Sequence, residues 1–177
     1  MIDSEYHGTN INNHHYSLKS VPIVKNLDLA IDLGMEVLIL GIAPSGGKIP
    51  SGWIPVIKNA HSKKSSIVNG LHDLLGQRFK KLIIDKNQWI WDVRVPNFVP
   101  EIATGKAAKL NNKRLLMVGT DMACGKMTTA LEIYSMARKK NINCGFLATG
   151  QIGITITGDG IPLDAFKVDY ACGAVEQ

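Results

Sequence analysis

The segment Arg114-Leu-Leu-Met-Val-Gly-Thr-Asp-Met-Ala-Cys-Gly-Lys-Met-Thr-Thr-Ala130 constrains this chain more than any other. An apolar run, Lys113 to Val118, ends at a glycine; a second glycine precedes a lysine, and Gly125 to Lys140 reads as a long helix. Strand, glycine-bounded turn and helix in that order point to a parallel α/β layer. Gly119 and Gly125 let the main chain turn so that successive N–H groups converge on one anion. The new helix aims its positive end at the same place. Lys126 adds an ammonium that reaches terminal phosphates. Gly119, Thr120, Asp121, Met122, Ala123, Cys124, Gly125, Lys126, Met127, Thr128 and Thr129 are therefore the candidate cofactor-binding loop. A nucleotide or a nucleotide-bearing cofactor is the expected ligand.

Two departures from the common phosphate-loop pattern matter. Five residues, not four, separate Gly119 from Gly125, and Met127 replaces the hydroxyl that usually coordinates Mg²⁺. Thr128 still offers a hydroxyl to an inner phosphate. Acids that could help hold a metal are Asp121, Asp164 and Asp169, and Leu82-Ile-Ile-Asp85 has the look of an acid-ended apolar strand but lies upstream. No metal-ligand set is assigned, and the role of Mg²⁺ is left open. Such a loop suits gripping a pyrophosphate better than cleaving one.

The remaining sequence alternates strand and helix signals. Asn26 to Leu33 is a short helix behind a capping Asn, Glu36 to Ile42 a buried strand, and Ala43 to Lys48 a glycine-rich loop. Helices are expected over Ser51 to Lys63 and Leu71 to Lys81, and strands at Ser66 to Val68 and Trp89 to Val93. Repeated units of this kind imply a parallel sheet covered by helices. Residues 1–95 form one unit, residues 96–112, with two prolines and no period, a connection, and residues 113–177 a second unit. In the latter, Asn143 to Ala148 is the next strand, a Gly- and Thr-rich loop follows, and Leu163 to Gly173 is helical. One strand after the phosphate loop is few for a sheet that buries both faces. The expectation is a fragment, or a module completed by other material, with little turnover of its own.

Composition narrows the class. Hydrophobic residues at 45% and charged residues at 20% describe a core-forming chain. No apolar run approaches the ~18–20 residues of a membrane helix, and the amino terminus lacks the basic start and apolar stretch of a signal peptide. Three cysteines, Cys124, Cys144 and Cys172, are odd in number and widely spaced, as in a reduced cytoplasmic protein. The net charge of +5 is spread along the chain without interleaved aromatics, so nucleic acid is not expected as a partner, nor is a membrane. The expected partners are a small-molecule substrate and a nucleotide-type cofactor; homo-oligomerisation is left open.

The loop resembles the long-spaced phosphate loop of dethiobiotin synthetase. A wider set of motifs accompanies it: Gly41-Ile-Ala-Pro-Ser-Gly-Gly47, Asn69-Gly-Leu-His-Asp-Leu-Leu75, Trp91-Asp-Val-Arg94, Ala148-Thr-Gly-Gln-Ile-Gly153 and Asp169-Tyr-Ala-Cys-Gly-Ala-Val-Glu176. Together they resemble the DgcN-type D-glutamate N-acetyltransferase family, some of whose members carry a label of NAD-dependent epimerase/dehydratase. The likeness covers nearly the whole chain. It implies a Rossmann-like, parallel-sheet N-terminal domain followed by a P-loop NTPase-like α/β domain, here incomplete. It implies acetyl transfer from acetyl-CoA to the amine of D-glutamate. Gln151 is followed by Ile152 where that family usually has Thr, and Cys124 stands where Val is usual.

Acetyl transfer needs a base for the substrate ammonium and donors for the oxyanion. His72 is the candidate catalytic base, or else a histidine that merely packs at a helix start. Gly46, Gly47 and Lys48 could bind a carboxylate through their N–H groups, or form an ordinary turn. Arg94 could clamp a carboxylate, or tie the domain connection to an acid. Thr149 and Gln151 stand at a strand's carboxyl end, where ligands bind parallel sheets. The competing readings are an ATP-dependent ligase or kinase and a non-catalytic nucleotide-binding module. A NAD-dependent oxidoreductase ranks last, because the strand–turn–helix junctions lack G-x-G-x-x-G.

Overall fold

The computed structural model describes residues 1–13, 19–42, 44–82, 85–121 and 123–177. It divides into two compact units, Met1–Asp92 and Val93–Gln177.

The first unit is built on three parallel strands, β1 (Val37–Leu40), β2 (Ser66–Asn69) and β3 (Ile90–Asp92), in that spatial order. Val37 pairs with Ser66 and Leu40 with Asn69, while Ile67 pairs with Ile90 and Asn69 with Asp92. The central strand β2 is buried along its whole length, which explains its continuous Ser-Ile-Val-Asn run in place of an apolar–polar alternation. α1 (Leu27–Asp32) starts where the Asn26 side chain accepts the Leu29 N–H at 3.1 Å, the cap the sequence predicts. α2 (Trp53–Ser62) links β1 to β2 and buries Ile57, Ala60 and His61. With Leu27, Leu38, Ile67, Leu75 and Phe79, Ile57 and Ala60 form the core of this unit. Each large apolar side chain buried there contributes about 1.5–3 kcal/mol. Chain ahead of α1 folds back on itself through bridges between Ile2 and Val24 and between Asn10 and Pro22.

One helix is shorter than its periodicity predicts. α3 covers Leu75–Phe79 and not Leu71 to Lys81. The residues before it are held out of helical form by two polar side chains. Asn69 Oδ1 accepts the Leu71 N–H at 3.1 Å, and its Nδ2 donates to the Asp73 carbonyl at 2.7 Å. Asp92 accepts the N–H groups of Leu75 at 3.0 Å and Gly76 at 2.8 Å. Of the apolar-then-acid stretch Leu82 to Asp85, residues 83–84 lie outside the described residues, and Asp85 pairs with Lys64 at 3.6 Å.

In the second unit the regular elements are α4 (Lys126–Lys139), α5 (Gln151–Thr157) and α6 (Val168–Glu176). The strands expected at Lys113 to Val118 and Asn143 to Ala148 are not part of any sheet among the described residues, apart from a parallel bridge between Ala148 and Gly160. A strand exists only with a neighbour to take its main-chain groups, and among the described residues no strand pairs with these segments beyond that bridge. Their side chains are correspondingly bare: Leu115, Leu116 and Val118 are 72%, 80% and 79% exposed. α5 replaces an expected loop. The helix expected from Leu163 starts five residues later, at Val168, after a 3-10 turn at Leu163–Ala165. Residues 101–107 lie along α6: Glu176 accepts the N–H groups of Thr104 at 2.5 Å and Ala107 at 3.0 Å, and the Thr104 hydroxyl at 2.9 Å. Gly173 admits this crossing, because a side chain there would run into the Glu101 and Ala103 backbone.

Candidate functional site

The turn before α4 has the backbone that a phosphate loop needs. Gly125 sits at φ +94° and Ala123 at +54°, both left-handed, and the helix begins directly after Gly125. Such alternation of hand cups main-chain N–H groups around an anion. The amino end of α4 carries no side-chain cap and no acid in its first turn, so no residue of the helix itself offsets the positive end of these 14 residues. At the far end Arg138 and Lys139 complement the dipole.

Lys126 folds over the turn. Its ammonium donates to the Asp121 carbonyl and lies 3.5 Å from Cys124 Sγ, while the Cys124 thiol donates to the same carbonyl at 3.0 Å. Gly119 makes this possible: a side chain there would stand against Cys124 Sγ and within 2.8 Å of the Lys126 stem. Thr120, Met127, Thr128 and Thr129 flank the turn on the exposed surface, and Met122 lies outside the described residues. The second candidate acid, Asp164, is taken by Arg94, and Asp169 occupies the first turn of α6. Among the described residues, no three of His, Cys, Asp and Glu gather closely enough to hold a metal ion.

A second group of predicted residues meets at the carboxyl edge of the first unit's sheet. Gly46 and Gly47 form a 3-10 turn after β1, both at positive φ (+78° and +65°). The His72 N–H donates to the Gly47 carbonyl at 2.8 Å, and the His72 ring covers the face of Gly47 where a side chain would otherwise project. The Ile49 N–H, one residue past Lys48, donates to Asp73 Oδ2 at 2.7 Å. Gly46, Lys48 and His72 are exposed. Loops that leave parallel strands at this edge are where α/β sheets bind ligands.

Arg94, Thr149 and Gln151 belong to the other unit. The Arg94 side chain is only 11% exposed and pairs with Asp164, and burial lowers its pKa. Of its two predicted uses, this geometry realises the tie to an acid. The Leu163 N–H donates to the Thr149 carbonyl at 3.3 Å, so Arg94 and Thr149 both hold the Leu163–Ala165 turn. Gln151 opens α5, and its carbonyl accepts the Thr155 hydroxyl at 2.8 Å. The candidate residues read from the sequence do not include Asn69, Asp92 or Glu176. The first two do stand within the motifs around His72 and Arg94, and that was the available signal.

Fold and loop define a class: an α/β protein that joins a parallel three-stranded unit to one opening on a P-loop. A Rossmann-like N-terminal domain of the DUF1611 type matches residues 4–96, and the DUF1611 C-terminal P-loop domain, likewise described as a domain of unknown function, matches residues 101–177. The chain belongs to the DUF1611 family. A protein of Pseudoalteromonas sp named D-glutamate N-acetyltransferase is 41% identical over 150 residues, which are 83% of this chain and 44% of that protein. One of the same name from Tritonibacter scottomollicae is 40% identical over 152 residues, 85% of this chain and 45% of its own length. The crystal structure of a DUF1611 family protein from Anabaena variabilis superposes with a TM-score of 0.91 at 42% identity, over 99% of this chain and 52% of that one. The chain spans about half the length of the relatives it matches.

Proposed function

We propose that this chain carries the cofactor-binding and acceptor-binding elements of an N-acetyltransferase, which moves the acetyl group of acetyl-CoA to the amine of D-glutamate or a related acidic amino acid. The observation that carries this reading is the 41% identity to a relative of that name. The uncapped amino end of α4 beside Lys126 supports it, because the pyrophosphate of coenzyme A is the anion such a turn would grip. Without a hydroxyl at Met127, that grip depends less on Mg²⁺ than in a loop that cleaves ATP.

In this reading Gly119 to Thr129 hold the cofactor, and the Gly46-Gly47-Lys48 turn takes a carboxylate of the amino acid. His72 accepts the proton that the substrate ammonium must lose. The amine lone pair then attacks the thioester carbonyl, a C–N bond forms and the C–S bond breaks, and the second proton lost by the amine passes to the departing sulfur, so that coenzyme A leaves as its thiol. Thr149 and Gln151 add ligand contacts within the second unit, while Arg94 stays tied to Asp164. The partners are small molecules and not nucleic acid. The setting is cytoplasmic, in keeping with three free cysteines, and no helix among the described residues is long and apolar enough to cross a membrane.

Calorimetry with acetyl-CoA, CoA and ATP, each with and without Mg²⁺, tests the assignment. Binding of CoA without metal is expected, weakened about tenfold or more in Lys126→Ala, as the loss of one charge-assisted phosphate contact implies. Binding of ATP alone, and only with Mg²⁺, would favour a ligase or kinase of the dethiobiotin synthetase kind. If the protein expressed from its native reading frame makes no N-acetyl-D-glutamate by mass spectrometry, the reaction is rejected.

A further inference from the structure

We propose that Asp92 is a positioning residue: acting with Asn69, it sets where the His72 imidazole stands at the carboxyl edge of the sheet. The inference rests on the reading of His72 as proton acceptor, and it adds the machinery that would make that role geometrically definite.

Asn69 and Asp92 are the last residues of adjacent strands and are partners in register. Asn69 is fully buried, and its Nδ2 donates to Asp92 Oδ1 at 2.7 Å. From this pair, main-chain groups on both sides of His72 are captured. Asn69 takes the Leu71 N–H and gives a hydrogen bond to the Asp73 carbonyl. Asp92 takes the N–H groups of Leu75 and Gly76, one on each oxygen. His72 itself contributes only its N–H, bonded to the Gly47 carbonyl, and its ring lies on Gly47. The ring is therefore placed by the Gly47 contact together with its neighbours' backbone, which Asn69 and Asp92 anchor to the sheet.

Gly76 shows that the carboxylate is fitted to this task. A side chain there would begin 3.0 Å from Asp92 Oδ2, tighter than ordinary contact, so the carboxylate reaches the N–H because residue 76 has none. A carboxylate is also the right acceptor. Three donors point at its two oxygens, the Asn69 amide and two main-chain N–H groups. An amide in its place would turn an NH₂ toward at least one of them. The motifs around His72 and Trp91 are thus two halves of one hydrogen-bonded device.

The test is Asp92→Asn in the 177-residue chain, followed by NMR of the histidine rings, amide exchange, and calorimetry with D-glutamate and with CoA. Expected are a displaced His72 ring resonance and exchange at Gly76 about tenfold faster, as the loss of a charge-assisted bond implies. The His61 ring resonance, a marker of the intact core, stays in place. D-glutamate affinity falls about tenfold while CoA affinity stays within about twofold. An unmoved His72 ring with unchanged Gly76 exchange overturns the proposal. So does loss of the His61 resonance, which would make Asp92 a general stabiliser of the unit. If the unsubstituted chain binds no D-glutamate, the functional reading fails by itself, and the ring and exchange data still decide the role of Asp92.

Discussion

Cys124 shows how much a single side chain within the phosphate loop can report. Its thiol pKa is lowered, by the surrounding backbone at Asp121 and by the Lys126 ammonium 3.5 Å away. A lowered pKa means more thiolate at neutral pH, and the thiolate is the form that alkylates. Iodoacetamide is therefore expected to modify Cys124 faster than Cys172, which is exposed as well, as peptide mass spectrometry at short times can show. CoA should protect it, and the modified chain should lose CoA binding; equal rates at the two cysteines would contradict this account. At this scale the loop was legible because its chemistry lies in contiguous residues. The engagement of Arg94 was not, because its partner Asp164 lies far along the chain and only folding brings the two together.

The elements show where local signals suffice and where they fail. α1 follows its pattern and its Asn26 cap, and α2 and α4 follow their patterns without a side-chain cap. α5 defeats them: Gln-Ile-Gly-Ile-Thr-Ile-Thr is rich in β-branched residues and glycine, poor helix formers. It coils regardless, with the Thr155 and Thr157 hydroxyls bonded back to the Gln151 and Gly153 carbonyls, and it ends on Gly158 in the left-handed region. At the end of α2, fully buried His61 accepts a bond from Gln88 Nε2 at 2.7 Å, and its own Nε2 has no hydrogen-bond partner among the described residues. Burial pushes its pKa below the usual value, against a smaller raising effect from the Ser65 backbone. The unfolded chain thus takes up this proton first. The stabilising effect is complete above the unfolded pKa of about 6.5 and is lost as pH falls below it. The urea midpoint of the first unit should drop between about pH 7.5 and pH 5, and His61→Leu should flatten that slope.

α6 gives the opposite case. Hydrogen bonds from the Thr104 and Ala107 backbone, with the Thr104 hydroxyl, hold the Glu176 carboxyl at a pKa of about 2. Its contribution is present above the unfolded value and disappears as pH falls toward about 2. Glu176→Gln is expected to speed amide exchange at Thr104 and Ala107 at neutral pH while leaving α4 unaffected. Unchanged exchange at both amides would show that the segment is held by other means. No periodicity could announce this staple, since Thr104 and Ala107 lie in the stretch that reads as a connection.

Across the whole molecule the two units differ in what they bury. Among the described residues, ten buried hydrophobic ones, from Ile23 to Phe79, lie in the first unit, and five, Val93, Ala148, Ile154, Ile161 and Ala174, lie in the second. Apolar burial is the main stabilising term, so the second unit should open first. Hydrogen exchange followed by mass spectrometry should find it less protected than β2 and α2. Ligand on the P-loop should stabilise the second unit selectively, by about 2.7 kcal/mol at a hundredfold excess over Kd. Protection that is equal in both units, or ligand effects confined to the first, would contradict this. The sheet of the first unit was readable from its short apolar runs between turn residues. The second was readable only as a P-loop followed by helix, because the runs flanking them have no strands to join.

The bare Leu115, Leu116 and Val118 stripe has a colloidal consequence. Each Å² of aliphatic surface left in water costs roughly 25 cal/mol, and two molecules that hide their stripes from the solvent recover that at once. Light scattering from the purified chain should therefore climb with concentration and with added ammonium sulfate, which strengthens the effect. Leu116→Lys should blunt the climb, setting a charge where chains would otherwise adhere.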